Sequence, residues 1–109
     1  MARRELTPTM MQLVGERFRA LAEPARLHLL HSMRDGEMTV TDLVHATGLG
    51  QANVSKHLGL LHSLGFVTRR KDGLFTYYAL ADDSVFTLCE LMCNHIDAEA
   101  RARNLLVEP

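Results

Sequence analysis

The sequence predicts a mainly α-helical fold with one small β-hairpin, its elements in the order α-α-α-α-β-β-α. Three observations predict it. Apolar residues recur at helical spacing over most of the 109 residues. Residues 39–65 hold two helical patterns on either side of Gly48-Leu49-Gly50. Residues 66–80 hold β-branched and aromatic residues split by Asp72-Gly73, which reads as two strands and a turn.

Residues 1–7 are polar, carry Arg3 and Arg4, and are expected to be disordered. From about Thr9 to Leu21, Met10, Leu13, Val14, Phe18 and Leu21 form one stripe, with Glu16, Arg17 and Arg19 mostly off it. This amphipathic helix needs a partner for its apolar face. Pro24 suits the first turn of a second helix, where its missing N–H is not needed. Leu27, Leu30 and His31 continue that helix to about Arg34, and Asp35-Gly36 stops it. His28 and His31 sit three apart, a spacing that can supply two metal ligands. With no cysteine or carboxylate on the same turn, they read better as surface histidines.

Thr39 can cap a third helix whose apolar positions are Val40, Leu43, Val44 and Ala46. Gly48-Leu49-Gly50 ends it in a tight turn, since glycine tolerates positive φ. A fourth helix follows from about Gln51 to Leu64, and Gly65 is placed to end it. The pair is a helix-turn-helix. Val54, Leu58 and Leu61 fall on one stripe of the fourth helix, with Leu64 at its edge. Ala52, Ser55, Lys56 and Gly59 fall roughly opposite, with Gln51 and Asn53 at the helix start. That second face is small, polar and free of acids. Small residues permit close approach to a major groove, amides and hydroxyls bond base edges or phosphates, and a helix N-terminus favours anions. An ordinary αα-hairpin with a solvated outer face would share some of these traits.

Phe66 to Lys71 reads as a strand and Leu74 to Leu80 as its return. The hairpin is basic through Arg69, Arg70 and Lys71. A basic hairpin directly after a recognition helix is a wing, which can follow the DNA backbone or enter the minor groove. From Asp83 to about Leu106 a long last helix is expected, capped by Asp82 or Asp83.

Composition bounds the rest. The apolar content of 47% and charged content of 23% suit a single globular domain spanning residues 1–109. The length leaves room for interface helices. The net charge of −1 gives no global signal for nucleic acid, but its distribution does. Residues 51–73 are net basic, whereas residues 82–99 carry five acids and no Lys or Arg. Two cysteines four apart make no disulfide framework. No apolar run approaches a membrane span and the N-terminus lacks an apolar signal core, so a cytoplasmic protein without membrane contact is expected. No nucleophile–base constellation, phosphate loop or paired metal motif points to an enzyme.

The order of elements resembles the ArsR-type (arsenical-resistance repressor) family of winged helix-turn-helix regulators. The resemblance is carried by Ala20-Leu21-Ala22-Glu23-Pro24-Ala25-Arg26-Leu27, by Val54-Ser55-Lys56-His57-Leu58, by Leu64-Gly65-Phe66-Val67, and by Gly73 followed by Tyr77-Tyr78-Ala79-Leu80. It runs from about residue 13 to residue 97. It implies a cytoplasmic homodimer joined through its first and last helices. Such a dimer would be a repressor on double-stranded operator DNA, released by an inducer. On this chain it implies Gln51, Asn53, Ser55, Lys56 and His57 as base and phosphate contacts, with Arg69, Arg70 and Lys71 on the wing. His57 lies near the apolar edge of its helix, so it also supports the helix. A winged-helix protein-interaction module without DNA binding is the alternative, and apolar exposure on the wing would favour it.

The sensor sites implied by the resemblance are incomplete. Thr39 and Thr41 stand where one such site has cysteines, and they are poor ligands for soft metals. The nearest register of a last-helix site gives Asp82, Ser84, His95 and Ala98, which lacks two ligands. Cys89 and Cys93 remain, one turn apart on one face. Three readings stay open for them: packing at an interface, binding of a soft metal or metalloid ion, and thiol redox sensing. A small-molecule inducer, or none, also fits.

Overall fold

The computed structural model describes residues 3–107. Helix α1 spans Pro8–Leu21 and is capped by the Thr7 hydroxyl, which accepts from the Met10 amide. The ordered cap shortens the stretch expected to be disordered to residues before Thr7, of which residues 1 and 2 lie outside those described. Helix α2 spans Pro24–Ser32, with proline in its first turn as expected. It stops two residues short of Arg34, because the Met33 amide turns back to Leu30 and the chain reaches Gly36 at a φ of 151°.

A strand absent from the sequence reading comes next. β1, Met38–Thr39, pairs antiparallel with the strand that returns from the wing. Two residues carry too little alternation to be read as a strand. Helix α3, Val40–Thr47, starts at Thr39 in a capping box: the Thr39 hydroxyl accepts from the Asp42 amide, and the Asp42 carboxylate accepts from the Thr39 amide. Gly48 ends it in the left-handed conformation, φ 74°. Gly50, at φ −67°, makes no such demand and serves as the N-cap of α4, Gln51–Ser63. Gly65 follows α4 at φ 83°.

β2, Val67–Asp72, and β3, Phe75–Leu80, form the wing, and the three-stranded sheet has the order β1-β3-β2. The wing reverses through Gly73-Leu74 rather than Asp72-Gly73, because Asp72 pairs with Phe75. Gly73 alone of the two has positive φ, 61°, which suits the first central position of a type II′ turn. Helix α5 spans Ser84–Val107. Its start is tied down by Asp82, whose carboxylate accepts from both the amide and the hydroxyl of Ser84. Those two bonds hold the Asp82 carboxyl below the usual carboxylate range, the hydroxyl contributing most.

The core lies between α2, α3, α4 and the base of the sheet. Leu29, Leu30, Leu43, Val54, Leu58 and Leu61 are fully buried there, closed by Val67, Tyr78 and Val85. The stripe expected on α4 is therefore its packed face. Its burial stabilises the fold and fixes which side of α4 turns outward.

Candidate nucleic-acid interface

With Val54, Leu58 and Leu61 anchored, helical geometry turns Ala52, Ser55 and Lys56 to solvent; Gln51 and Asn53 stand at the open helix start, and all five are exposed. No side chain caps the start of α4, and its first turn holds no acid. Its leading amides are therefore free to donate to an anion. Among the described residues, no intramolecular hydrogen bond or ion pair engages the side chains of Gln51, Asn53, Ser55 or Lys56. All four are exposed on the first two turns of α4.

His57 differs from them. It is partly buried, and its Nδ1 accepts a hydrogen bond from Arg26 Nη1 at 3.2 Å. The same guanidinium donates through Nε to the Ala20 carbonyl at 2.5 Å. Arg26 thus ties the end of α1 to the recognition helix. The sequence reading missed this role, because residues 26 and 57 meet only through the packing of α2 on α4.

The wing is less uniform than its basic run suggests. Arg69 and Lys71 are exposed and, among the described residues, without an acidic partner. Arg70 is engaged. Its guanidinium makes a two-pronged hydrogen-bonded pair with Glu37 before β1 and lies 3.6 Å from Asp72. It also stacks on the Tyr77 ring opposite, 4.5 Å from the centroid. The Arg70 pair, chiefly its hydrogen bond, holds the Glu37 carboxyl below its usual range. Arg70 therefore pins the wing to the body, and its charge is largely answered within the protein. At the tip Leu74 is 96% exposed and Phe75 56% exposed, so the wing carries apolar as well as basic surface.

The cysteines sit on α5. Cys89 packs against the core, whereas Cys93 is exposed. Both line an open cleft of about 570 Å³ with His31 of α2, Arg34 just beyond its end, Phe86 and Glu90. Arg34 lies over the Phe86 ring and His31 meets the ring edge-on, each 4.8 Å from its centroid. His31 Nδ1 is bonded to the Leu27 carbonyl. Among the described residues, no three His, Cys, Asp or Glu side chains converge into a metal-holding group. Among the described residues, the exposed large apolar side chains of α5 are Leu88, Leu91, Met92 and Ile96. Cys93 projects roughly 100° to 160° away from the first three.

This geometry, a polar recognition helix in front of a wing, is matched by known proteins. Residues 23–69 match the family described as bacterial regulatory protein, arsR family. A transcriptional repressor SmtB homolog from Synechocystis is 35% identical over 98 residues, covering 85% of this chain and 74% of that protein. The chain belongs to the arsR family. Among solved structures, Mycobacterium tuberculosis Rv0081 superposes with a TM-score of 0.77 at 28% identity, covering 89% of this chain and 98% of that one. The homodimeric winged helix-turn-helix DNA-binding domain of a possible ArsR-family transcriptional regulator from Mycobacterium bovis superposes with a TM-score of 0.72 at 29% identity, covering 89% and 90%. The arsR-family assignment makes this chain a winged helix-turn-helix, DNA-binding transcriptional regulator rather than an enzyme. No described helix is long and apolar enough to cross a membrane.

Proposed function

We propose that this chain is a cytoplasmic homodimeric repressor that docks α4 in the major groove of operator DNA and is released by an inducer. One observation supports the docking face: Ser55 and Lys56 are exposed on the side of α4 away from its fully buried stripe, with Gln51 and Asn53 exposed at the helix start. Gln51 and Asn53 read base edges, Ser55 and Lys56 hold phosphates, and His57 donates from the edge of that face. Arg69 and Lys71 reach the flanking backbone from the wing. Arg70 acts there mainly by holding the wing in place.

The dimer is proposed to form through α1 and α5. Phe18, Leu13 and Met11 on α1 and Leu88, Leu91, Met92 and Ile96 on α5 are large apolar residues left exposed. The accessible surface is 8200 Å², against about 6,100 Å² for a compact monomer of this mass. The radius of gyration is 17.2 Å, against about 13 Å for a compact chain of this length. An interface commonly covers about 800 Å² per partner, so a second copy on α1 and α5 would cover part of that excess.

The inducer is proposed to act at the cleft lined by Cys89 and Cys93. Two thiols one turn apart, one of them exposed, suit a soft metal or metalloid ion. Apolar packing accounts for Cys89 more readily than for Cys93. The apolar wing tip at Leu74 and Phe75 is the one observation that favours the protein-interaction alternative, and the family assignment weighs against it. Fluorescence anisotropy with a labelled duplex tests the reading. Release by arsenite, zinc or cadmium that is lost in Cys89→Ser/Cys93→Ser supports the thiol site. Equal release of that double variant would move the inducer elsewhere.

A further inference from the structure

Arg26 occupies the junction of three helices. Its Nε satisfies the Ala20 carbonyl in the last turn of α1, and its Nη1 reaches His57 Nδ1 on α4. A guanidinium has donors only, so Nδ1 is the acceptor and in a neutral ring the proton sits on Nε2. Among the described residues, Nε2 has no protein partner, and no buried side-chain nitrogen or oxygen lacks one. Nε2–H therefore opens to solvent. On α4, His57 lies one turn after Asn53 and about 40° round from it, at the edge of the polar face.

We propose that Arg26 presets His57 as a neutral hydrogen-bond donor to a DNA phosphate. The inference rests on the docking face proposed above and adds two things to it. His57 contributes through an uncharged N–H rather than as an imidazolium, and Arg26, which touches no DNA in this account, is the residue that positions it. Arg26 also makes the placement of that donor depend on the end of α1, a helix proposed to lie at the dimer seam.

The charge state is what the test reads. A cation on a phosphate releases counterions and steepens the salt dependence of binding by about 0.9 per contact, whereas a neutral donor adds affinity without changing the slope. His57→Phe should weaken binding about tenfold on a duplex selected from a random library. It should do the same on an unrelated duplex of equal length, with the salt slope unchanged. His57→Gln keeps an acceptor and an N–H donor and should restore most of the affinity. Arg26→Gln should weaken binding similarly, and adding His57→Phe to it should cost little more. Long-range ¹H–¹⁵N spectra of the unmodified full-length protein should show an unprotonated Nδ1 and a protonated Nε2, with the Nε2 proton shifting on addition of DNA. This measurement needs no variant to fold. A protonated Nδ1, a slope that falls by about 0.9 per protomer in His57→Phe, or additive losses in the double variant would overturn the proposal and leave the docking face standing. Failure of the wild-type dimer to bind any duplex would overturn both.

Discussion

Lys56 is an exposed lysine on the outward face of α4 without a protein partner among the described residues, so its charge is available to a phosphate. Lys56→Ala should weaken binding to all duplexes alike and lower the salt slope by about 0.9 per protomer. Gln51→Ala or Asn53→Ala should instead relax sequence preference, by about 1–3 kcal/mol at the base each reads. Arg70→Ala should change the slope less than Lys56→Ala, because Glu37 and Asp72 already answer its charge. The Glu37 carboxyl is held below its usual range in the folded protein. Its tie to Arg70 therefore stabilises the wing fully above the unfolded-state value and is lost as pH falls through the lowered one. Hydrogen exchange of β2 and β3 amides in the acid range should show the wing loosening there in the wild type and not in Glu37→Gln. The outward residues of α4 were legible because helical periodicity separates Ala52, Ser55 and Lys56 from Val54, Leu58 and Leu61, and because Gln51 and Asn53 fall at the helix start. The Arg26–His57 and Arg70–Glu37 contacts were not, because each joins residues more than thirty apart that only tertiary packing brings together.

At the scale of elements, local chemistry carried most of the reading. Pro24, Thr39, Gly48 and Gly65 mark helix ends by mechanisms that act within a few residues, and each does so in the structure. β1 escaped notice because a two-residue strand exists only by pairing with β3. The wing turn was displaced by one residue because register, not the Asp72-Gly73 pair, decides which residues lie between the strands. These ends have measurable weight. Gly48→Ala meets no atom within 4 Å of the added Cβ, so its cost is the left-handed backbone alone, about 1 kcal/mol. Thr39→Ala removes half of the capping box and should also cost about 1 kcal/mol. Urea unfolding at fixed dimer concentration checks both. A cost near zero for Gly48→Ala would mean that the turn relaxes out of the positive-φ region.

For the whole molecule, the proposed pairing through α1 and α5 makes one chain half of the working unit. Leu91 is 63% exposed on α5, and Leu91→Asp should convert a dimer to monomers in analytical ultracentrifugation. A monomer presents one recognition helix instead of two, so its operator affinity should fall by several orders of magnitude. The family, the helix-turn-helix and the wing could all be read from the chain. The homodimer was implied by the resemblance, and the apolar surface that a single copy leaves uncovered on α1 and α5 supports it. The most direct test of the central claim is duplex affinity by fluorescence anisotropy over a salt series, for the wild-type dimer and for Lys56→Ala. A docking face on α4 predicts tight binding at low salt, a steep decline as salt rises, and a shallower decline for Lys56→Ala. Absence of binding at low salt, or an identical slope in the variant, would contradict it.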